Sequence, residues 1–435
     1  MISNWKTVTI GEFLSHRKGF AFKATQYKTE GHKIARVSNF TQRSIDTDGC
    51  TCIDEKEANQ FSNYTLKVGD VVIATVGSWP TNPASVVGRA IRVPEEANGL
   101  LLNQNAVRLR SNEHLNQQFL YYLLSADHYQ NFIVSTAQGS ASQASIKLKD
   151  IFSYQALIPP PSEQEAIVSV VGALDDKIEN NRRMNETLEE MARAIFKSWF
   201  VGFDPVHAKA AGNAPAHMDA ETAALFPSSF GDDGLPVGWV QAALGDIVEN
   251  PKRTVKPNEV DDSTPYIGLE HMPRNCVALG DWGAAGKVTS NKSKFEKAEF
   301  LFGKLRPYFH KVGVAPVSGI CSTDILIIKA KEELWRSITI ACISSYEFVN
   351  YTDKTATGTK MPRTNWKDMS RYRITLPEEK VARNFNDIIF PMLERVISNV
   401  EENQTLSDLR DTLLPKLMSG EIRVADAERE VESAL

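Results

Sequence analysis

Residues 162–202, SEQEAIVSVVGALDDKIENNRRMNETLEEMARAIFKSWFVG, place apolar or Asn side chains at Ile167, Val171, Leu174, Ile178, Asn181, Asn185, Leu188, Ala192, Ile195 and Trp199, in unbroken alternating steps of four and three. That spacing is the seam of a coiled coil. Moving on by 218 residues gives Phe385, Ile389, Met392, Val396, Asn399, Asn403, Leu406, Arg410, Leu413 and Leu417. The same helix therefore occurs twice, with Arg410 as the one departure from its apolar pattern. The ends are marked as well. Pro159-Pro160-Pro161 stops what comes before, Ser162 and Glu165 have the form of a capping box, and Gly202 closes the first copy. Pro377, Glu378 and Glu379 open the second copy and Gly420 closes it. Each helix of about forty residues at ~1.5 Å per residue is a rod of roughly 60 Å, a length that suits a spacer.

The centre of the seam is Ile178, Asn181, Asn185 and Leu188 in the first copy, matched by Val396, Asn399, Asn403 and Leu406 in the second. Its asparagines have two readings. Buried amides fix register and partner at a cost in stability. On a wet helix surface they would simply be solvated.

The formal charge of −5 is unevenly distributed. Residues 1–158 carry +3 and residues 240–376 carry +5, whereas 159–201, 202–239 and 377–435 carry −3, −4 and −6. Two mildly basic blocks thus alternate with acidic rods and connectors, and the negative total does not exclude nucleic acid. The five cysteines are odd in number and form no C-x-x-C pair, which argues against a disulfide framework or a zinc site and for reduced thiols in the cytoplasm. No run of eighteen apolar residues occurs and the first residues lack the form of a signal peptide, so the expectation is a soluble, cytoplasmic protein with no membrane contact.

The blocks repeat too. W-K-T-V-T-I-G-E-F-L from Trp5 and W-V-Q-A-A-L-G-D-I-V from Trp239 match at an offset of 234, which also pairs Phe61 with Phe295 and Gly69 with Gly303. From Asn105, paired with Asp324, the offset is 219; Gly139 then pairs with Gly358, and from Asp150 the offset is 218. About fifteen extra residues of the first copy are thereby placed between Gly69 and Asn105. β-Branched runs broken by Gly and Pro read as short strands with turns. One helix is expected per block, over 116–125 and 334–345. The fold class is α+β: two similar α+β domains separated by two long helices packed as an antiparallel coiled coil. Antiparallel packing keeps the connector short and gives a pseudo-two-fold arrangement with the blocks at opposite ends. The expected divisions are domain one at 1–158, the first helix at 159–202, a linker at 203–238 with one short helix at 220–225, domain two at 239–376, the second helix at 377–420, and a disordered acidic tail at 421–435.

No catalytic centre is legible. There is no G-x-x-x-x-G-K-[ST] loop, no S-adenosylmethionine loop with its Asn-Pro-Pro-aromatic partner, and no metal-ligand spacing among the eight histidines. Glu378-Glu379-Lys380 sits at a helix start and reads as capping charge. What the blocks do offer is cationic, hydroxyl and amide side chains on turn-rich segments, the groups that neutralise phosphates and read base edges. The DNA-binding candidates are Lys18, Lys23, Ser78, Trp79, Asn82, Arg89, Ser140, Gln143 and Lys147 in the first block. In the second they are Lys252, Arg253, Lys287, Asn291, Lys292, Arg306, His310, Lys360, Arg363 and Asn365. Singly, each also reads as an ordinary surface residue, and Trp79 and Tyr308 also read as turn packing.

The chain resembles the specificity subunits of type I restriction-modification enzymes over nearly its whole length. The likeness is carried by Leu148-Lys149-Asp150-Ile151 leading to Ile158-Pro159-Pro160-Pro161-Ser162-Glu163-Gln164-Glu165, by Gly303-Lys304-Leu305-Arg306-Pro307-Tyr308, by Leu409-Arg410-Asp411 through Leu413-Leu414-Pro415-Lys416-Leu417 to Ser419-Gly420-Glu421, and by Met218-Asp219 through Ala223-Ala224-Leu225-Phe226-Pro227. The first helix departs from it, ending in Phe196-Lys197-Ser198-Trp199-Phe200 without a Leu-Leu-Pro-Lys run. The resemblance implies two target recognition domains that each read half of a bipartite double-stranded DNA site, with the helices as spacer. It also implies two modification subunits that use S-adenosylmethionine to methylate adenine N6, and restriction subunits that use ATP and Mg, with no cofactor and no catalysis in this chain. Because the two domains differ in sequence throughout, the target should be gapped and non-palindromic. The half-sites should lie about one to one and a half helical turns apart, at roughly 34–36 Å per turn. The rival readings are a coiled-coil adaptor without DNA recognition, which the basic blocks disfavour, and a fused restriction-methylation enzyme, which the missing cofactor motifs disfavour.

Overall fold

The computed structural model describes residues 4–41, 43–81 and 86–434. The chain divides into two compact units, Met1–Asp175 with Asp408–Leu435, and Asp176–Ser407. The division runs through both long helices, so each unit holds one recognition block and part of each helix. The helices span Pro161–Phe196, extended by a π-helical turn at Lys197–Val201, and Glu379–Ser419.

Each block repeats one topology. In the first unit, Leu14–Lys18, Ala106–Ser111, Val71–Ala74 and Ala90–Arg92 lie side by side in that order, all antiparallel. In the second, Val248–Glu249, Ile325–Ala330, Phe300–Gly303 and Val312–Val314 do the same. Each block is closed by its own two ends: Lys6–Thr9 pairs with Gln155–Ile158, and Val240–Ala243 with Arg373–Leu376. Lys6 faces Ile158, and Val240 faces Leu376, so the sequence offsets of 234 and 218 describe one closure made twice. A parallel pair, His32–Ala35 with Leu101–Leu102, also recurs as Pro265–Ile267 with Gly319–Cys321.

The ladders correct the sequence match in the middle of the block. Val71 faces Leu109 and Ala74 faces Ala106; Phe300 faces Ile328 and Gly303 faces Ile325. Gly303 therefore corresponds to Ala74, not to Gly69, and the surplus of the first copy begins before Gly69. A glycine in a turn and a glycine in a strand look alike in sequence, whereas ladder register admits one pairing. In place of the one helix expected per block, the described residues hold a consecutive pair of two-turn helices, besides helices of four or five residues. Gln117–Ser125 is followed by Asp127–Ser135, and Arg336–Ile343 by Tyr346–Lys354. Asn116 caps the first of these by accepting from the N–H groups of Gln118 and Phe119.

In the first unit, Gln164 ties the start of the first long helix to the block. Its Oε1 accepts from Asn116 N at 2.8 Å and its Nε2 donates to the carbonyls of Pro159 and His114 at 2.9 and 3.2 Å. Pro161 is already helical, which puts Ser162 inside the first turn rather than at the expected cap. Arg410, the departure from the seam pattern, is 5 % exposed and donates to Asp175 at 2.8 Å. Asp175 also accepts from Tyr122 at 2.9 Å, so the buried cation is neutralised by a hydrogen-bonded partner. The second helix closes at Gly420 (φ 70°), where Glu421 N donates to the Lys416 carbonyl at 2.9 Å. The chain then forms another helix, Val424–Ala434, in place of the expected disordered tail. Its acidic composition masks an apolar stripe at Val424, Ala427 and Val431, and Ala427 is fully buried.

In the second unit the two helices meet antiparallel. Asn185 accepts from Asn399 Nδ2 at 2.8 Å, and Asn181 Nδ2 donates to Asn403 Oδ1 at 2.9 Å and to Glu402 at 2.7 Å. Asn181, Asn185 and Asn399 are all under 5 % exposed, so the amides are not on a wet face. Beyond them, Trp199 and Phe200 join the core of the second block, with Phe200 edge-on to Phe385 at 4.9 Å and Trp199 edge-on to Phe226 at 4.9 Å. The left-handed stop of this helix is Phe203 (φ 51°) rather than Gly202, and its ring packs edge-on against Trp239 at 5.7 Å. Pro391 lies inside the second helix, at a cost of about 3 kcal/mol that burial of Phe385, Ile389 and Leu393 offsets. Glu189 reaches from the first helix into the block and accepts from the N–H groups of Val277 and Ala278 at 2.9 and 3.0 Å. Burial pushes its carboxyl above the ordinary value despite these donors. The linker holds Ala220–Leu225 as a helix capped by Asp219, together with a second helix, Asp204–Ala210.

Replacing Asn399 by Leu strands the buried amide of Asn185. The single substitution should cost about 1–3 kcal/mol in denaturant unfolding, and Asn185→Leu with Asn399→Leu should recover most of it.

Candidate nucleic-acid interface

The candidate residues separate into those the fold gathers and those it uses as structure. In the first unit the central strand Val71–Ala74 runs on into Val76–Gly77, which pairs with Gln143–Ser145, itself paired with Gln138–Ser140. This brings Ser78, Trp79, Ser140 and Gln143 to one loop-and-hairpin edge. Trp79 Nε1 donates to the Ser140 carbonyl at 2.8 Å, Ser78 is buried, and Ser140 and Gln143 are exposed. Lys147 lies just past the hairpin and is exposed. Gly139 is required there, because a Cβ would lie 2.0 Å from the Gln143 carbonyl oxygen.

The second unit builds the same edge from other side chains. Leu305, just past Phe300–Gly303, bridges Arg363, and Arg363 bridges Thr357 across a turn containing Gly358 (φ 103°). Arg306 N donates to the Pro362 carbonyl at 2.7 Å, and its Nη2 lies 3.4 Å from the Lys360 carbonyl. By ladder register Arg306 takes the place of Gly77, two positions before that of Trp79, yet both side chains reach a carbonyl of the glycine-bearing hairpin. Lys360 and Arg363 are exposed, with Arg363 Nε 3.1 Å from Asp324, a surface pair of little energetic weight. Tyr308 and Met361 stand out from this edge at 51 % and 48 % exposure.

Other candidates lie away from these edges. Lys18 ends an edge strand and Lys23 precedes a 3₁₀ turn, both exposed. Arg89 is half-buried, donates to the Thr41 carbonyl at 3.2 Å and has its pKa lowered by burial. Asn82 lies outside the described residues. Lys252, Lys287 and Asn291 are exposed, and Lys292 donates to Ser290 Oγ at 2.7 Å with its ammonium 5.9 Å from the Tyr266 ring centre.

Three candidates are structural. Arg253 is paired with Glu296 at 2.8 Å and with Glu299, which is 5 % exposed and also accepts from Glu296 N at 2.9 Å. The first unit has the same buried acid in Asp70, which accepts from Lys67 N at 2.8 Å and from Arg110 at 2.6 and 2.9 Å. His310 is buried, with Nε2 2.9 Å from the Ser344 carbonyl, and burial lowers its pKa, which disfavours the charged form that a phosphate contact would use. Asn365 caps Trp366–Met369, accepting from Asp368 N and donating to its carboxylate. Sequence reasoning missed Arg274, which is exposed and stacked on Phe309; its partner lies 35 positions away, and no local signal marks it. Among the described residues no group of His, Cys, Asp or Glu is arranged to hold a metal ion, and no helix is long and apolar enough to cross a membrane.

A duplicated block that presents one loop-and-hairpin edge in two chemistries defines a modular recognition protein. Residues 2–190 match the family described as the type I restriction modification DNA specificity domain. The specificity subunit of the type I restriction enzyme HindI of Haemophilus influenzae is 25 % identical over 426 residues, covering 86 % of this chain and 91 % of its own. That of MjaIX of Methanocaldococcus jannaschii is 24 % identical over 339 residues, covering 76 % and 74 %. The fold is that of the type I restriction-modification S subunit from M. genitalium, with a TM-score of 0.54 and 16 % identity over 95 % of this chain and 96 % of that one. Over most of its length the chain is thus similar to specificity subunits of type I restriction enzymes, and its first 190 residues carry the family's DNA specificity domain.

Glu299→Ala leaves Arg253 half-buried without its inner partner and should destabilise the chain by about 3–5 kcal/mol in denaturant melting. Lys360→Ala should stay within about 0.5 kcal/mol, which separates structural cations from free ones.

Proposed function

We propose that this chain reads double-stranded DNA at two unlike half-sites and is the sequence-determining part of a type I restriction-modification assembly. The observation that carries this reading is the repeated edge. The same loop and hairpin present Trp79, Ser140 and Gln143 in one copy and Arg306, Lys360 and Arg363 in the other. One scaffold with two sets of reading groups suits a target whose halves differ, hence a gapped, non-palindromic site. Hydroxyl and amide groups suit base edges, and the cations suit phosphates and guanine. Catalysis would come from two modification subunits using S-adenosylmethionine to methylate adenine N6, and from restriction subunits using ATP and Mg, in the cytoplasm where the host DNA lies. The long helices would dock the modification subunits and space the half-sites.

The test is adenine methylation across the host genome, read by single-molecule sequencing with the gene intact and with residues 1–158 exchanged for another recognition domain. A gapped asymmetric motif should appear and only one half should change. A genome whose methylation does not depend on the gene would overturn DNA reading in favour of an adaptor role. Inserting about four residues, one turn of roughly 6 Å, into both helices should change the gap while leaving both half-sequences intact; an unchanged gap would remove the spacer role.

A further inference from the structure

Three of the six non-glycine residues with positive φ among the described residues converge on one spot in the second unit: Asn275 (φ 55°), Arg306 (φ 51°) and His310 (φ 50°). Asn275 N donates to the His310 carbonyl at 3.0 Å, which joins the loop before Cys276 to the turn 306–310. Such conformations persist where the surroundings over-determine them, and they concentrate at binding sites. Here they present Phe309 beside two guanidinium groups, with Arg274 4.1 Å and Arg306 5.9 Å from the ring centre.

The two arginines are not equivalent. Arg306 is half-buried, with its Nε enclosed and without a partner, and it lies against the hairpin. Arg274 is exposed, and among the described residues it has no carboxylate within ion-pair distance, unlike Arg253 and Arg363. Stacking on an aromatic face orients a guanidinium at little further entropic cost while leaving its N–H edge open. That rigid fork matches the N7 and O6 acceptors of guanine in the major groove, and a lysine cannot reproduce it.

We propose that Arg274 is a specificity-determining residue of the second recognition domain and that its ligand is a guanine base, contacted through N7 and O6. This rests on the DNA-reading function proposed above. Phe309 is the positioning residue, and the left-handed turn at Arg306 and His310 sets the ring in place.

The test uses the full chain assembled with its modification subunits in cells, with genome methylation read for the unchanged protein, Arg274→Ala and Arg274→Lys. Both variants should lose discrimination at one G·C position, by about ten- to a hundredfold, in the half-site governed by residues 239–376, with the other half-site unchanged. Retention of the full motif by both variants overturns the proposal. So does an evenly weakened motif that Arg274→Lys restores, which is the behaviour of a phosphate contact. If the unchanged protein yields no gapped motif, the DNA-reading function itself fails and this inference falls with it. Arg274→Lys keeps the charge at an exposed site, so loss of specificity in that variant is not loss of fold.

Discussion

Two pairs of asparagines in the seam of the long helices hold the arrangement on which everything else depends. Asn185 meets Asn399 and Asn181 meets Asn403, so each amide finds the partner that antiparallel alignment supplies. Any slip along the seam would leave buried amides unpaired. Stability alone would favour leucine at these positions; Asn399 Oδ1 is itself without a partner. Their contribution is to the uniqueness of the alignment. Within the first unit Asp175 and Arg410 join the same two helices one position out of that numbering, there with a charged pair.

On this frame the two blocks share a topology and are seated differently. The first unit uses the Arg410, Asp175 and Tyr122 network together with Gln164, whereas the second uses Glu189 on the backbone of Val277 and Ala278 together with the aromatic group around Trp199 and Phe200. The internal matches of these residues differ in chemistry, as Ala192 stands at the position of Arg410 and Ser407 at that of Glu189. Conserved topology with divergent seats and divergent edges is what modular recognition requires.

Periodic features were legible in the sequence. Spacing alone gave both long helices, their seam, the duplication, and the offsets that the closing strand pairs reproduce. Features fixed by distant partners were not legible. The match of Gly69 with Gly303 failed because strand register decides that correspondence, and the helix at Val424–Ala434 was hidden by its charge. Arg253 and His310 read as free surface cations, yet one pairs with Glu299 and the other contacts Ser344, 46 and 34 positions away. The loop-and-hairpin edge could be anticipated only through the paired glycines Gly139 and Gly358. The stack of Arg274 on Phe309 left no local trace.

The central claim is the antiparallel seam, and cross-linking tests it most directly. Leu188 and Val396 line the same small cavity between the helices, one turn from Asn185 and Asn399. In a background freed of the native cysteines, Leu188→Cys with Val396→Cys should form an intramolecular disulfide under mild oxidation. Leu188→Cys with Leu406→Cys, the pair that parallel packing would bring together, should not. Cross-linking of the second pair and not the first would contradict the alignment.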